Sequence, residues 1–319
     1  MRLKLVPRNT SWNFFLRSKL WIGISIILVV LSLISFFVQS LNFGIDFRGG
    51  TSIRTESSEP VNVAVYRNAL SSLDLGDITI SEVFDPSFED NQNVAMIRIQ
   101  AQPGQEAATS ILVENSLQKL KEVNEDIKFV SVESVGPKVS GELIRTAIIA
   151  VVLAISAVLF YIWIRFEWQF AVGAISALIH DVILTIGVFS LLQIKFDLAI
   201  IAAILTIVGY SLNDTVVVFD RVRENLRKFK KRSLIEVMNL SINETMSRTV
   251  MTSVTTLLAL ISLFILGGDV IRGFVFAMIW GVVVGTYSSI FIASAILLWT
   301  GVKRDWSKSN AEAGTQVPQ

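Results

Sequence analysis

Cysteine is absent from the 319 residues, and histidine occurs once, at His180. The first absence excludes disulfides, thiolate metal sites and cysteine nucleophiles; the second excludes paired-histidine metal centres. Charge is scarce as well. Asp, Glu, Lys and Arg make up 17% of the chain, against about 25% in an ordinary soluble domain. No nucleotide-binding loop, serine–base pair or metal-ligand cluster stands out, so enzyme-type catalysis, a resident cofactor and a bound metal find no support in the residues. What takes their place is apolar: 52% hydrophobic residues and a mean hydropathy of +0.59.

The apolar residues are gathered into runs. A helix needs about 20 of them, rising about 1.5 Å each, to cross a hydrocarbon core of about 30 Å. Six stretches qualify: 20–38, 143–164, 170–192, 198–219, 249–266 and 273–300. The first is longer than a signal-peptide core, and no small-x-small site follows at 37–42, so it is expected to be a retained anchor. Orientation follows from Lys and Arg in the short flanks. Residues 1–19 hold five and no acid; the connection 220–247 holds seven; Lys303, Arg304 and Lys308 follow the last span. The two short turns at 193–197 and 267–272 hold one each. Both termini are therefore expected in the cytoplasm, as segments 1–19 and 306–319. The basic connection is read as a topology signal beside anionic lipid and not as a nucleic-acid patch.

Between the span at 20–40 and the bundle at 141–305 lies one large polar segment, 41–140, with 15 Asp and Glu against 8 Lys and Arg. Its excess of acid places it on the outer side. Apolar periodicity predicts a strand at 51–54, a helix at 61–73, strands at 78–84 and 94–99, a helix at 105–123 and a strand at 127–135. That order is the split βαβ of a ferredoxin-like sandwich, with Ile97, Ile99, Ile111 and Val130 expected in its core. The fold class is thus an α-helical polytopic membrane protein with six transmembrane helices and an inserted α+β ferredoxin-like domain. The outer segment is either a surface that touches a partner or passing chain, or a folded spacer.

Ionisable residues inside spans are costly, about 2.5–3.5 kcal/mol each at a helix centre on insertion scales, and those present here are few. The third span carries His180 and Asp181 at its middle, the fourth carries Asn213 and Asp214, and the fifth opens at Arg248. At 100° per residue Tyr210, Asp214 and Arg221 share a face of span four, and Arg248, Thr252, Thr255 and Ser262 share one of span five. Antiparallel spans would let the two stripes meet in the inner third of the membrane. Such a pair is either structural glue between helices or a carboxylate that takes and releases protons beside an arginine. For His180 and Asp181 packing and structural hydrogen bonding are preferred to a proton relay. Gly281 and Gly285 suit a close helix contact.

The runs FGIDFRGG at 43–50, VGPKVS at 135–140, RFEW at 165–168, ALIHDV at 177–182 and VGYSLNDTVVVFDR at 208–221 together resemble the SecF branch of the SecD/SecF family, within the resistance-nodulation-division superfamily. The resemblance implies a bacterial inner-membrane subunit with residues 41–140 in the periplasm. It implies pairing with SecD, attachment to the SecYEG channel, and use of the proton-motive force to promote late translocation of a secreted preprotein. It also ties Asp214 and Arg248 to proton conduction. Half of a proton-driven small-molecule or lipid exporter of the same superfamily is the rival, and a passive scaffold for the channel a third reading.

Overall fold

The structure is a computed structural model that describes residues 10–302 apart from 74, 77, 87, 90 and 102–109. Arg2, Lys4 and Arg8, the basic residues after the last span, the tail 306–319 and the start of the helix expected from 105 lie outside the described residues. The chain enters through α1 (Ser18–Gln39), then a short strand β1 (Asn42–Phe43) and a single helical turn α2 (Ile45–Arg48). A sheet domain follows: β2 (Gly50–Ser57), α3 (Val63–Leu70), β3 (Ile78–Val83), β4 (Asn93–Gln100), α4 (Ser110–Lys121) and β5 (Lys128–Val135). The strands are ordered β3-β4-β2-β5 and every neighbouring pair is antiparallel, which is the ferredoxin-like arrangement. One sheet face packs Ile53, Ile80, Ile97 and Ile99 against Tyr66, Leu70 and Leu120 of the two helices.

Two residues expected in that core are outside it. Ile111 is 70% exposed and Val130 51% exposed. The register of β2 with β5 slips between Arg54 and Thr55, pairing them with Ser131 and Phe129 and leaving Val130 as the extra residue of a bulge. A bulge breaks the period-two alternation, so Phe129 turns inward in its place. Ile111 lies in the first turn of α4, whose inward face begins with Leu112 and Val113. Ile97→Ala or Leu120→Ala is therefore expected to destabilise the sheet domain by about 2–5 kcal/mol. Ile111→Ala and Val130→Ala should stay within about 0.5 kcal/mol. Hydrogen exchange of the β2–β4 amides in the full chain distinguishes the two pairs.

After the domain come α5 (Pro137–Arg165), α6 (Trp168–Leu192), the short strand β6 (Lys195–Phe196), α7 (Leu198–Lys228), α8 (Leu234–Leu266), α9 (Gly268–Ser288), a π-helical turn (Ser289–Ala293) and α10 (Ser294–Thr300). Among the described residues six helical segments are long and apolar enough to cross a membrane, the last running from Val270 through the π turn to Thr300. They match the six apolar runs. The basic stretch 220–247, expected as a loop, is mostly helical: α7 and α8 extend past their apolar parts and leave only residues 229–233 between them. Ser233 and Glu236 form a reciprocal capping box that starts α8 there.

α6, α7 and α9 form the covered centre of the bundle, while α1, α5 and α8 each have only 11% of their apolar window buried. Close approach at the centre depends on small residues. A Cβ on Gly281 would overlap the Ile207 side chain, and one on Gly285 would stand 3.1 Å from Ser211 Cβ. The expected close contact at these two glycines thus falls between α9 and α7. The sheet domain is fastened to the bundle at the FGIDFRGG run. β1 pairs in parallel with β6, Gly44 N donates to Phe196 O at 2.8 Å, and the Leu198 amide that opens α7 donates to Asp46 Oδ2 at 3.1 Å. Gly49 and Gly50 then turn the chain with φ of 72° and 136°, and any side chain at Gly50 would strike the Ile99 carbonyl.

Candidate functional site: buried acids of the bundle

Asp214 and Asp181 are the two fully buried acids among the described residues, at 3% and 1% exposure. Their surroundings differ. Asp181, on α6, is saturated. Its Oδ2 accepts from Ser211 Oγ of α7 at 2.6 Å and from Ser288 Oγ of α9 at 2.8 Å, while its Oδ1 lies 3.0 Å from His180 Nδ1. The imidazole leans on the Tyr287 ring, centroids 6.1 Å apart, and the Tyr287 hydroxyl donates to the Trp21 carbonyl of α1 at 2.8 Å. This cluster therefore ties α1, α6, α7 and α9 together. It sits directly before the π turn, where one extra residue per turn lets Ser294 Oγ donate back to the Ser289 carbonyl at 3.2 Å.

Asp214, on α7, is the opposite case. Its Oδ2 is buried without a hydrogen-bond partner, and so are the Tyr210 hydroxyl one turn earlier and the Thr249 hydroxyl on α8. An unsatisfied buried carboxylate oxygen is expensive to maintain. Such a group is poised to accept a proton or a moving donor. Arg248, on α8, is exposed, and no ion pair joins it to Asp214.

The expected meeting of two stripes is corrected in part. Thr252 and Thr255 donate to carbonyls of their own helix, at Arg248, Thr249, Met251 and Thr252, and Thr255 is exposed. Ser262 is exposed likewise, bonded to the Leu258 carbonyl. The inward face of α8 carries Thr245, Thr249 and Ser253 instead. Asn213 is exposed beside the buried Asp214. Arg221 belongs to a separate network toward the C-terminal end of α7, donating to Glu244 at 2.7 Å and Glu224 at 2.6 Å, with Asn225 completing Glu244 at 2.6 Å. Thr249, Ser211 and Ser288 were not singled out from sequence. Hydroxyls are too common in spans to be informative before their neighbours are known. Among the described residues no group of three or more acids or histidines could hold a metal.

Six apolar helices among the described residues, an inserted ferredoxin-like domain and carboxylates buried between spans define a multi-pass membrane protein with a sheet domain set between its first and second spans. A family profile described as protein export membrane protein SecD/SecF, C-terminal, matches residues 115–303, and the SecD/SecF GG motif matches 34–61. The chain belongs to the SecD/SecF family. It is 58% identical to the protein translocase subunit SecF of Cereibacter sphaeroides over 315 residues, covering 99% of this chain and 97% of that one. With the protein of the same name from Rhodobacter capsulatus identity is 56%, covering 97% and 95%. The crystal structure of SecDF, a translocon-associated membrane protein from Thermus thermophilus, superposes with a TM-score of 0.82 at 34% identity. That match covers 94% of this chain but only 40% of the longer SecDF chain.

Proposed function

We propose that this chain is the SecF-type subunit of a bacterial protein-export machinery, working beside SecD to couple the proton-motive force to late movement of a preprotein through SecYEG. The observation that carries the coupling is the buried, unpartnered carboxylate of Asp214 on α7. Protonation neutralises it; deprotonation leaves a charge that attracts Arg248 inward from the α8 surface. Either state favours a different α7–α8 arrangement, and α7 is joined at its outer end to the sheet domain through Asp46. Proton binding in the bundle is thereby transmitted to the periplasmic side. The work is conformational and makes or breaks no covalent bond.

Partner pairing is supported by surface chemistry. Arg248, Thr255 and Ser262 form an exposed polar stripe on a span whose apolar window is otherwise open. A charge facing acyl chains is unfavourable, whereas helices of a second subunit such as SecD would cover it. The match to less than half of the longer SecDF chain fits the same reading. The functional test is export into inverted membrane vesicles with and without a proton gradient. A complex whose export rate is indifferent to the gradient would overturn the coupling. Orientation has its own check. A cysteine placed at Ser58 should react with an impermeant thiol reagent from the periplasm and one at Lys230 should not; labelling of the second from outside would reverse the topology.

A further inference from the structure

The sheet domain has a second face, turned away from its helices and toward the outer ends of the spans. Between them is a cavity of about 630 Å³. Its roof is polar, with Ser52 and Arg54 from β2, Met96 and Arg98 from β4, and Ser131 from β5. Its floor carries an apolar strip, Phe264 at the end of α8 and Val270, Phe274 and Phe276 at the start of α9, edged by Asp46, Lys195, Asp197 and Arg272.

The two arginines are the anomaly. The register sets Ser52 opposite Arg98 and Arg54 opposite Met96, so the guanidinium-bearing residues are diagonal neighbours on one face, with Cα atoms about 7–8 Å apart. Both Nε atoms are buried without an acceptor. Arg98 Nη2 reaches only the Met96 sulfur, at 3.1 Å, and Arg54 makes no side-chain hydrogen bond or ion pair among the described residues. Burial pushes the Arg98 guanidinium below its usual value, with Asp197 pulling the other way. Of the acids lining the cavity, Glu82 and Glu133 are exposed at its rim and pair with neither arginine, and the two at its base are committed elsewhere. Asp46 accepts from the Leu198 amide, and Asp197 caps α7 through the Ile200 amide and pairs with Lys195 at 3.4 Å. Both side chains are partly exposed, and two like charges partly shielded from water beside each other are favoured when an anion bridges them, guanidinium suiting phosphate oxygens best.

We propose that this cavity holds the phosphate of a membrane phospholipid, bridged by Arg54 and Arg98, with its glycerol and acyl carbons over the aromatic floor. The amphipathic lining and the position at the outer ends of the spans select a lipid phosphate over one free in solution. Glu133, at the exposed rim and opposite Ser52 in the register, suits the ammonium of an ethanolamine head.

The test uses the full chain extracted from membranes containing phosphatidylethanolamine and phosphatidylglycerol, with retained lipid counted by native mass spectrometry. The native chain should retain one phospholipid that Arg54→Gln with Arg98→Gln loses. Thermal unfolding should cross over: in lipid-free detergent the double variant is at least as stable as the native chain, since an unpaired buried charge is gone. With added phosphatidylethanolamine the native chain alone gains. Equal lipid counts in the two proteins overturn the proposal. So does stabilisation by inorganic phosphate alone equal to that by phosphatidylethanolamine, which would mark a site for the free anion. If the double variant fails to accumulate, Arg98→Lys replaces it, with reduced retention expected and unchanged retention counting against the site.

Discussion

Asp214→Asn should accumulate in the membrane at the native level and yet export no faster with a proton gradient than without one. The substitution keeps the volume and shape of a side chain that is 3% exposed, and it removes only titration. A structural carboxylate would be satisfied by neighbours that the amide could partly replace; Asp214 Oδ2 has none to lose. Combining Asp214→Asn with Arg248→Met sharpens the result. If an uncompensated charge were the whole defect, removing both charges would restore function. Because no ion pair joins Arg248 to Asp214 and titration of Asp214 is the property lost, the double variant is expected to assemble and remain inactive. Recovery of gradient-driven export in the double variant would sink the coupling role of Asp214.

Asp181→Ala should fail in the other way, through stability. It strands the Ser211 hydroxyl and an imidazole nitrogen and leaves Ser288 only the Gly285 carbonyl, and a broken buried charge cluster costs about 3–5 kcal/mol. Ser211→Ala and Ser288→Ala, each deleting one hydrogen bond to the carboxylate, should cost about 1.5–3 kcal/mol. Thermal unfolding in detergent and membrane abundance read all three. Should Asp181→Ala persist at normal abundance while losing only its response to the gradient, the residue would belong to the proton path instead.

The six spans were legible because an apolar run near twenty residues has few alternatives. The sandwich was legible because its strands and helices alternate at clear periods. What failed was relative rotation. Counting 100° per residue fixes which side chains share a face, as it did for Tyr210 and Asp214, but it cannot say which face of α8 meets α7. The answer is the one bearing Thr249, a single residue and a quarter-turn away from Arg248. Similar reasons govern the sheet and the basic connection. A bulge that displaces Val130 is a two-strand property invisible in one strand. Lys and Arg at 221–232, expected to mark the cytoplasmic side, are also good helix formers, so α7 runs on past its apolar part.

The joint between β1 and β6 has a consequence for how the chain is made. Asn42 pairs with Lys195, and Asp46 meets the amide of Leu198, 152 positions later. Every strand and helix of the sandwich lies within residues 50–135, so that unit is complete while the second span is still being synthesised. Its clasp to the bundle must wait for the fourth. During that interval the folded sandwich hangs from α1 and α5 by its ends alone, and the opening turn of α7 has no carboxylate to greet it until Asp46 is brought round. Closure of the clasp is thus a late event in biogenesis, dependent on correct insertion of the two intervening helices, α5 and α6. A chain with one of them misplaced would carry a sound outer unit that never locks.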